Sequence, residues 1–237
     1  MTNSNPERGL WSIGRRDPSD HDGFVNFDQR RRATWSVHAA SLLIGSVVII
    51  GACGGSETTL RGIVRDEPLI VGSVAVTDVT SAGRYADHDG SFEFRAEPGR
   101  LLVVYFGYTN CPDLCPTTLA LVRAAKRELG EDGDRIDLAM VTVDANRDTP
   151  EVMNGYLASF TDDFHALVPS DDFELRAAEG AFLASSTIVT DASGEIEVGH
   201  SATAYVVDST GTVLVEWPFG IDKNVMIDDL RILLESA

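Results

Sequence analysis

The stretch that decides the fold is Leu101-Leu102-Val103-Val104-Tyr105-Phe106-Gly107-Tyr108-Thr109-Asn110-Cys111-Pro112-Asp113-Leu114-Cys115-Pro116. Its first six residues are continuously apolar, a run too short for a core helix and suited to a central strand covered on both faces. Pro116 then opens a helical pattern in which Leu119, Val122, Ala125 and Leu129 recur at three- and four-residue spacing, and Gly130 stops it. A strand, a cysteine loop and a helix in that order put both thiols at the carboxyl end of a strand, where open α/β sheets bind their ligands.

The prolines shape the loop. Pro116 disfavours helical geometry at Cys115, and inside a helix its ring would clash with the carbonyl of Pro112, so the loop is expected to finish before the helix starts. Cys115 would then lie at the helix N-terminus, where free N–H groups and the macrodipole stabilise a thiolate, with Cys111 near enough to share a ligand or a disulfide with it. The expectation is two thiols of low pKa facing one point. An inert thiol pair or a stabilising disulfide is the plainer reading, but a four-residue spacing closes too small a loop to constrain much of the unfolded chain.

Outward from this stretch the alternation continues. Residues 136–143 form a second buried strand, and Asp148-Thr149-Pro150-Glu151 carries the polar cap and early proline of a helix ending near Phe160. Residues 166–168 read as a short strand and 170–183 as a helix. Residues 203–207 and 212–217 read as a hairpin around Asp208-Ser209-Thr210-Gly211, and 225–234 as a closing helix. Upstream, residues 60–64 and 71–76 look like leading strands, and Ser91-Phe92-Glu93-Phe94 alternates like a half-buried strand, which predicts a β-hairpin at the start of the domain. The whole predicts one α/β domain over residues 60–237, a mixed central sheet with helices on both faces and antiparallel final strands.

The chain has 237 residues, three cysteines and a formal net charge of -18. That charge excludes an electrostatic grip on nucleic acid, which needs Lys and Arg to displace counterions from phosphates. Three cysteines are too few for a disulfide scaffold, so their positions matter more than their number. Residues 39–50 are apolar, preceded by Arg30, Arg31 and Arg32 and followed by Gly51-Ala52-Cys53-Gly54-Gly55-Ser56. A basic segment, a short apolar segment and small residues have the anatomy of an export signal, and the apolar segment is shorter than the roughly 20 residues that span a bilayer comfortably. Ile50-Gly51-Ala52-Cys53 resembles a bacterial lipobox, which implies lipidation of Cys53 after removal of residues 1–52; an uncleaved anchor helix is the alternative. Both readings put the domain on the extracytoplasmic face of the cell membrane, with residues 53–59 as lipidation site and linker.

Three separated motifs resemble one family. The run from Val104 to Leu119, Val143-Asp144-Ala145-Asn146-Arg147-Asp148-Thr149-Pro150, and His200-Ser201 ahead of a strand and turn are similar, in that order, to the Sco/SenC family of cytochrome oxidase copper-delivery proteins. The resemblance covers residues 89–234. It implies a thioredoxin-like fold, copper ligation by Cys111, Cys115 and His200, and a respiratory oxidase copper-site subunit as recipient. Ala145 stands where the family usually has proline, which bears on loop shape more than on ligation. Residues 185–199 match less well and are expected to form an irregular excursion.

The residue types fit that implication. Thiolates favour Cu(I) and imidazole suits Cu(I) or Cu(II), so a Cys-Cys-His set can hold copper through a redox change, whereas structural zinc normally takes four protein ligands. Asp113 and Asp144 are secondary candidates: Asp113 as a hydrogen-bond acceptor beside the ligands or a solvated loop charge, Asp144 as an orienter of the loop or a partner of Arg147. The competing enzymatic reading is a thiol-disulfide oxidoreductase using Cys111 and Cys115 on the cysteines of a copper-site partner. Against it, the spacing is CxxxC, and no proline occurs between Pro169 and Pro218 to face the dithiol. A peroxidase-like activity, or copper sensing without transfer, are further alternatives.

Overall fold

The computed structural model describes residues 59–86 and 90–237. Cys53 and the leader lie outside them. Among the described residues no helix is long and apolar enough to cross a membrane.

The described residues form a seven-stranded mixed sheet, a separate two-stranded hairpin and four α-helices. The strands are β1 (Ala75–Asp78), β2 (Gly90–Glu93), β3 (Leu101–Gly107), β4 (Ile136–Thr142), β5 (Phe164–Leu167), β6 (Ser186–Thr190), β7 (Ile196–His200), β8 (Thr203–Val207) and β9 (Val213–Pro218); the helices are α1 (Leu114–Leu129), α2 (Pro150–Ala158), α3 (Asp172–Phe182) and α4 (Lys223–Leu234). The main sheet runs β2-β1-β5-β4-β3-β8-β9. β3, β4 and β5 are parallel, and β8 and β9 continue the sheet antiparallel. Every residue of β3 and β4 is buried, the unbroken apolar run of β3 and the Leu138–Val141 centre of β4 alike, as befits strands covered on both faces.

Helix α1 packs beside α4, α2 against β5 and α3 against β1. The stripe Cys115, Thr118, Leu119, Val122, Ala125 and Lys126 is the buried face of α1. Gly130, at φ 61°, ends the helix in a conformation that a β-carbon would strain. Lys126 pins that end by donating to the Ile136 carbonyl at 2.5 Å, to Thr161 Oγ1 at 3.1 Å and to Asp163 Oδ2 at 3.0 Å.

Three expectations are corrected. The starting hairpin exists as β1 paired with β2, but residues 60–64 are not a strand: Ile63 makes one isolated bridge to Glu216, because Pro68 and the glycines nearby break any longer ladder. Residues 185–199 are no irregular excursion. β6 and β7 pair in regular antiparallel register from Ser186 opposite His200 to Thr190 opposite Ile196. Their turn is closed by Asp191 Oδ1, which accepts from Ser193 N at 2.7 Å and Glu195 N at 2.9 Å, with Gly194 at φ 88°. Finally, α1 begins at Leu114, so Cys115 is inside its first turn. Pro116 is tolerated there because first-turn N–H groups have no helical acceptor, and Pro112, whose carbonyl it would strike, lies outside the helix.

Candidate metal centre

The parallel pair β3–β4 delivers the cysteine loop to the carboxyl edge of the sheet. Cys111 N donates to the Tyr108 carbonyl at 3.2 Å, closing the turn, and Cys115 N points at Cys111 Sγ at 3.4 Å. Both cysteines are buried free thiols. The loop is fastened from below by Asp148, fully buried, which accepts from Thr109 N at 3.0 Å, Thr109 Oγ1 at 2.5 Å and Thr142 Oγ1 at 2.6 Å. Within the polar cap expected of Asp148-Thr149-Pro150-Glu151, the capping residue is Thr149, which accepts from Val152 N, and the role of Asp148 under the loop was not foreseen. Gly107 was also missed. A β-carbon there would lie 2.9 Å from Cys115 Sγ and 2.9 Å from Tyr105 Cε1, so the strand needs glycine where the sulfur sits.

His200 arrives from the other side, at the end of β7. Its Nε2 lies 4.0 Å from Cys111 Sγ and 3.6 Å from Cys115 Sγ. Its Nδ1 is 3.0 Å from the Ser201 carbonyl, an acceptor only, so the ring proton belongs on Nδ1 and the Nε2 lone pair faces the sulfurs. The Ser185–Ser201 contacts, Ser201 N to Ser185 O at 2.9 Å and Ser185 N to Ser201 Oγ at 3.0 Å, clamp the base of the hairpin that carries it. Edge-on rings of Tyr105 and Tyr108, with centroids 6.0 and 5.7 Å from the imidazole, complete the wall.

The three ligand atoms lie within 4.8 Å of one another, and among the described residues no other such group of His, Cys or acidic side chains occurs. Ligand bonds of roughly 2.0–2.3 Å spread trigonally about one ion separate the donor atoms by roughly 3.5–4.0 Å. The observed S–N separations match that spacing, so the donor set fits a single soft ion. A closed tetrahedral zinc site would need a fourth donor that this cluster lacks.

The electrostatics correct the expectation of two acidic thiols. Burial pushes the Cys115 thiol up to about 12, and proximity to Cys111 adds to the rise; the hydrogen bond from the Tyr108 backbone only partly offsets them. Burial likewise raises the phenols of Tyr105, Tyr108 and Tyr156, with the nearby cysteines as further cause. The site is therefore a low-dielectric cup in which the Cys115 sulfur stays protonated until a cation displaces the proton.

Asp113 sits at the N-cap of α1, where its Oδ1 accepts from Thr117 Oγ1 at 3.2 Å and it lines the site's mouth. Asp144 is buried and pairs with Arg147, whose guanidinium lies 5.9 Å from the Tyr108 ring centroid. Asp144 thus reaches the centre through Arg147 and Tyr108. The mouth is an open cleft of about 310 Å³ between Pro112 and Leu114 on one side and Val198 and Gly199 on the other.

Among known proteins, the chain is 30% identical over 131 residues to an SCO2-like protein of Rickettsia prowazekii, an alignment covering 54% of this chain and 63% of that one. The chain spans between 62% and 66% of the length of three such curated relatives. Among solved structures it is similar to apo Sco1 from Thermus thermophilus, with TM-score 0.60, 27% identity, and 76% of this chain and 99% of that one covered. It is also similar to Bradyrhizobium japonicum ScoI with copper bound, with TM-score 0.55, 25% identity, and 70% and 97% covered. These likenesses bear out the thioredoxin-like fold that the motifs implied. The model of the SCO1/SenC family matches residues 78–235, and the chain belongs to that family.

Proposed function

We propose that this protein is an extracytoplasmic, membrane-tethered metallochaperone that takes up one copper ion through Cys111, Cys115 and His200 and passes it to the copper centre of a respiratory oxidase. The observation that carries the reading is the convergence of two thiols and one imidazole nitrogen at the spacing of a single trigonal ion. Copper is the cargo that suits a set of two thiolates and one imidazole, and the copper-bound ScoI of Bradyrhizobium japonicum supports the choice. The oxidase as recipient rests on family membership, and the tether on the lipobox-like segment ending at Cys53.

Uptake is coupled to proton release, because the Cys115 sulfur must give up its proton to bind. The same proton competition favours hand-over: a recipient that supplies its own thiolates replaces these ligands one at a time at the open cleft. The oxidoreductase reading is disfavoured by the Cys115 thiol, since a buried group held protonated at neutral pH is a poor attacking nucleophile. To test the proposal, copper-loaded protein is mixed anaerobically with a metal-free oxidase copper-site subunit and the two are separated. Copper should be found on the subunit. Copper retained by this chain, with the subunit's disulfide reduced instead, would support the oxidoreductase.

A further inference from the structure

The segment that enters the domain is fixed rather than trailing. The buried carboxylate of Asp229 accepts from Arg61 N at 2.6 Å, Gly62 N at 2.9 Å and Trp217 Nε1 at 3.0 Å, tying entry segment, β9 and α4 together. Ile63 then bridges Glu216 through both backbone bonds, at 3.0 and 2.9 Å. Beside this knot lies a shallow, mostly apolar cleft of about 340 Å³ lined by Ile63, Pro218, Phe219 and Ile221 together with Arg61 and two glycines, in which Ile63 is 50% and Phe219 44% exposed.

From Cys53 to Thr59 the chain spans at most about 21 Å at full extension, less than the diameter of roughly 30–40 Å expected of a domain this size. A domain held so briefly can touch its membrane only with the surface around its point of entry, and that surface is this cleft. We infer that the face formed by Ile63, Pro218, Phe219 and Ile221 rests against the lipid bilayer to which the chain is tethered. The inference rests on the membrane-tethered reading of residues 30–53.

The register gives the contact a consequence for the metal centre. β3 and β9 both run antiparallel to β8, so their carboxyl ends lie at the same end of the sheet. Pro218 pairs with Thr203, three residues after His200, and β3, which leads to the cysteine loop, is two strands away, about 10 Å. Resting Phe219 on lipid therefore holds the thiol–imidazole cluster near the membrane plane. Nearby cations are already matched: Arg61 with Asp228 at 2.9 Å, Lys223 with Glu128 at 2.5 Å, and Arg65 with Glu216. The contact is apolar, without need of anionic headgroups, and a short tether makes even a weak contact persist.

The test uses the full chain, purified with its anchor and reconstituted into phosphatidylcholine vesicles brominated near the top of the acyl chains. Phe219→Trp, Ile63→Trp and Ile70→Trp are each made in a Trp11→Phe, Trp35→Phe background, where buried Trp217 supplies the baseline. Ile70 is exposed but bridges Thr212, at the opposite end of β9. The added emission at 219 and 63 should fall at least twofold, equally at about 0.1 and 1 M NaCl, while that at 70 does not. Vesicle flotation without quenching at 219 and 63 overturns the contact and leaves the tether intact. Failure to float overturns the tether, and the contact with it.

Discussion

His200 Nε2 lies 3.6 Å from Cys115 Sγ although 85 residues separate the two along the chain. Two independent pieces of folding produce that distance. The β3–α1 junction seats the sulfur against Gly107, and the β6–β7 hairpin, clamped at Ser185 and Ser201, carries the imidazole over it. Disturbing either piece should be felt at the metal.

Gly107→Ala places a methyl group 2.9 Å from Cys115 Sγ and 3.1 Å from Met140 Cε. Overpacking of this kind costs about 1–3 kcal/mol, and here the displaced atom is the sulfur of a proposed ligand. Urea unfolding should show that loss, and a chelator competition should show at least tenfold weaker copper binding. A variant with unchanged midpoint and affinity would mean the sulfur is not seated as described.

Asp148→Ala removes the acceptor shared by Thr109 N, Thr109 Oγ1 and Thr142 Oγ1 in a fully buried setting. Stranding those donors should cost about 2–4 kcal/mol, and amide exchange should accelerate at residues 108–111 ahead of the rest of the domain. Uniform protection of that loop in the variant would contradict its role as the fastening.

The metal-free Cys115 thiol, wholly buried and raised to about 12, is ionised to roughly one part in ten thousand at pH 8. Iodoacetamide should therefore modify Cys111 first and reach Cys115 only on unfolding in urea. Peptide mapping that finds Cys115 modified as fast as a free exposed thiol would remove the argument against the oxidoreductase.

Asp78 contributes to the acid limb of stability. Burial alone would raise its carboxyl, but hydrogen bonds from His165 and Thr80 outweigh it and hold the carboxyl below the usual range. A depressed folded-state pKa means stabilisation that is fully present above about pH 4 and lost as pH falls through the folded value. Asp78→Asn should therefore lower stability at pH 7 and flatten the decline below pH 4; a parallel decline in both proteins would place the acid sensitivity elsewhere.

The sheet's centre was legible because β3 opens on six consecutive apolar residues and β4 carries four, Leu138 to Val141, in stretches too short for a core helix. That Cys111, Cys115 and His200 belong to one cluster was legible as a resemblance of motifs, and the structure brings the three side chains together. The β6–β7 hairpin was legible in principle: Asp191-Ala192-Ser193-Gly194 is a turn of the same kind as Asp208-Ser209-Thr210-Gly211, and Thr187-Ile188-Val189-Thr190 is β-branched throughout. It was passed over because its strands are mostly exposed and carry no core alternation. Gly107 and Asp148 act through tertiary contacts with Cys115 and Thr109, which local pattern does not encode. The pKa of Cys115 went the other way from the helix-terminus argument, since desolvation under the sheet edge outweighs the few first-turn N–H groups.

The most direct measurement is an anaerobic Cu(I) titration of reduced residues 54–237 against a competing chelator, for the wild type and for Cys111→Ser, Cys115→Ser and His200→Ala. Binding should be one-to-one in the wild type, weakened at least a hundredfold by either cysteine substitution and at least tenfold by His200→Ala. Binding indifferent to His200→Ala would contradict the three-ligand site, because the imidazole would then sit beside the thiols without sharing their ion.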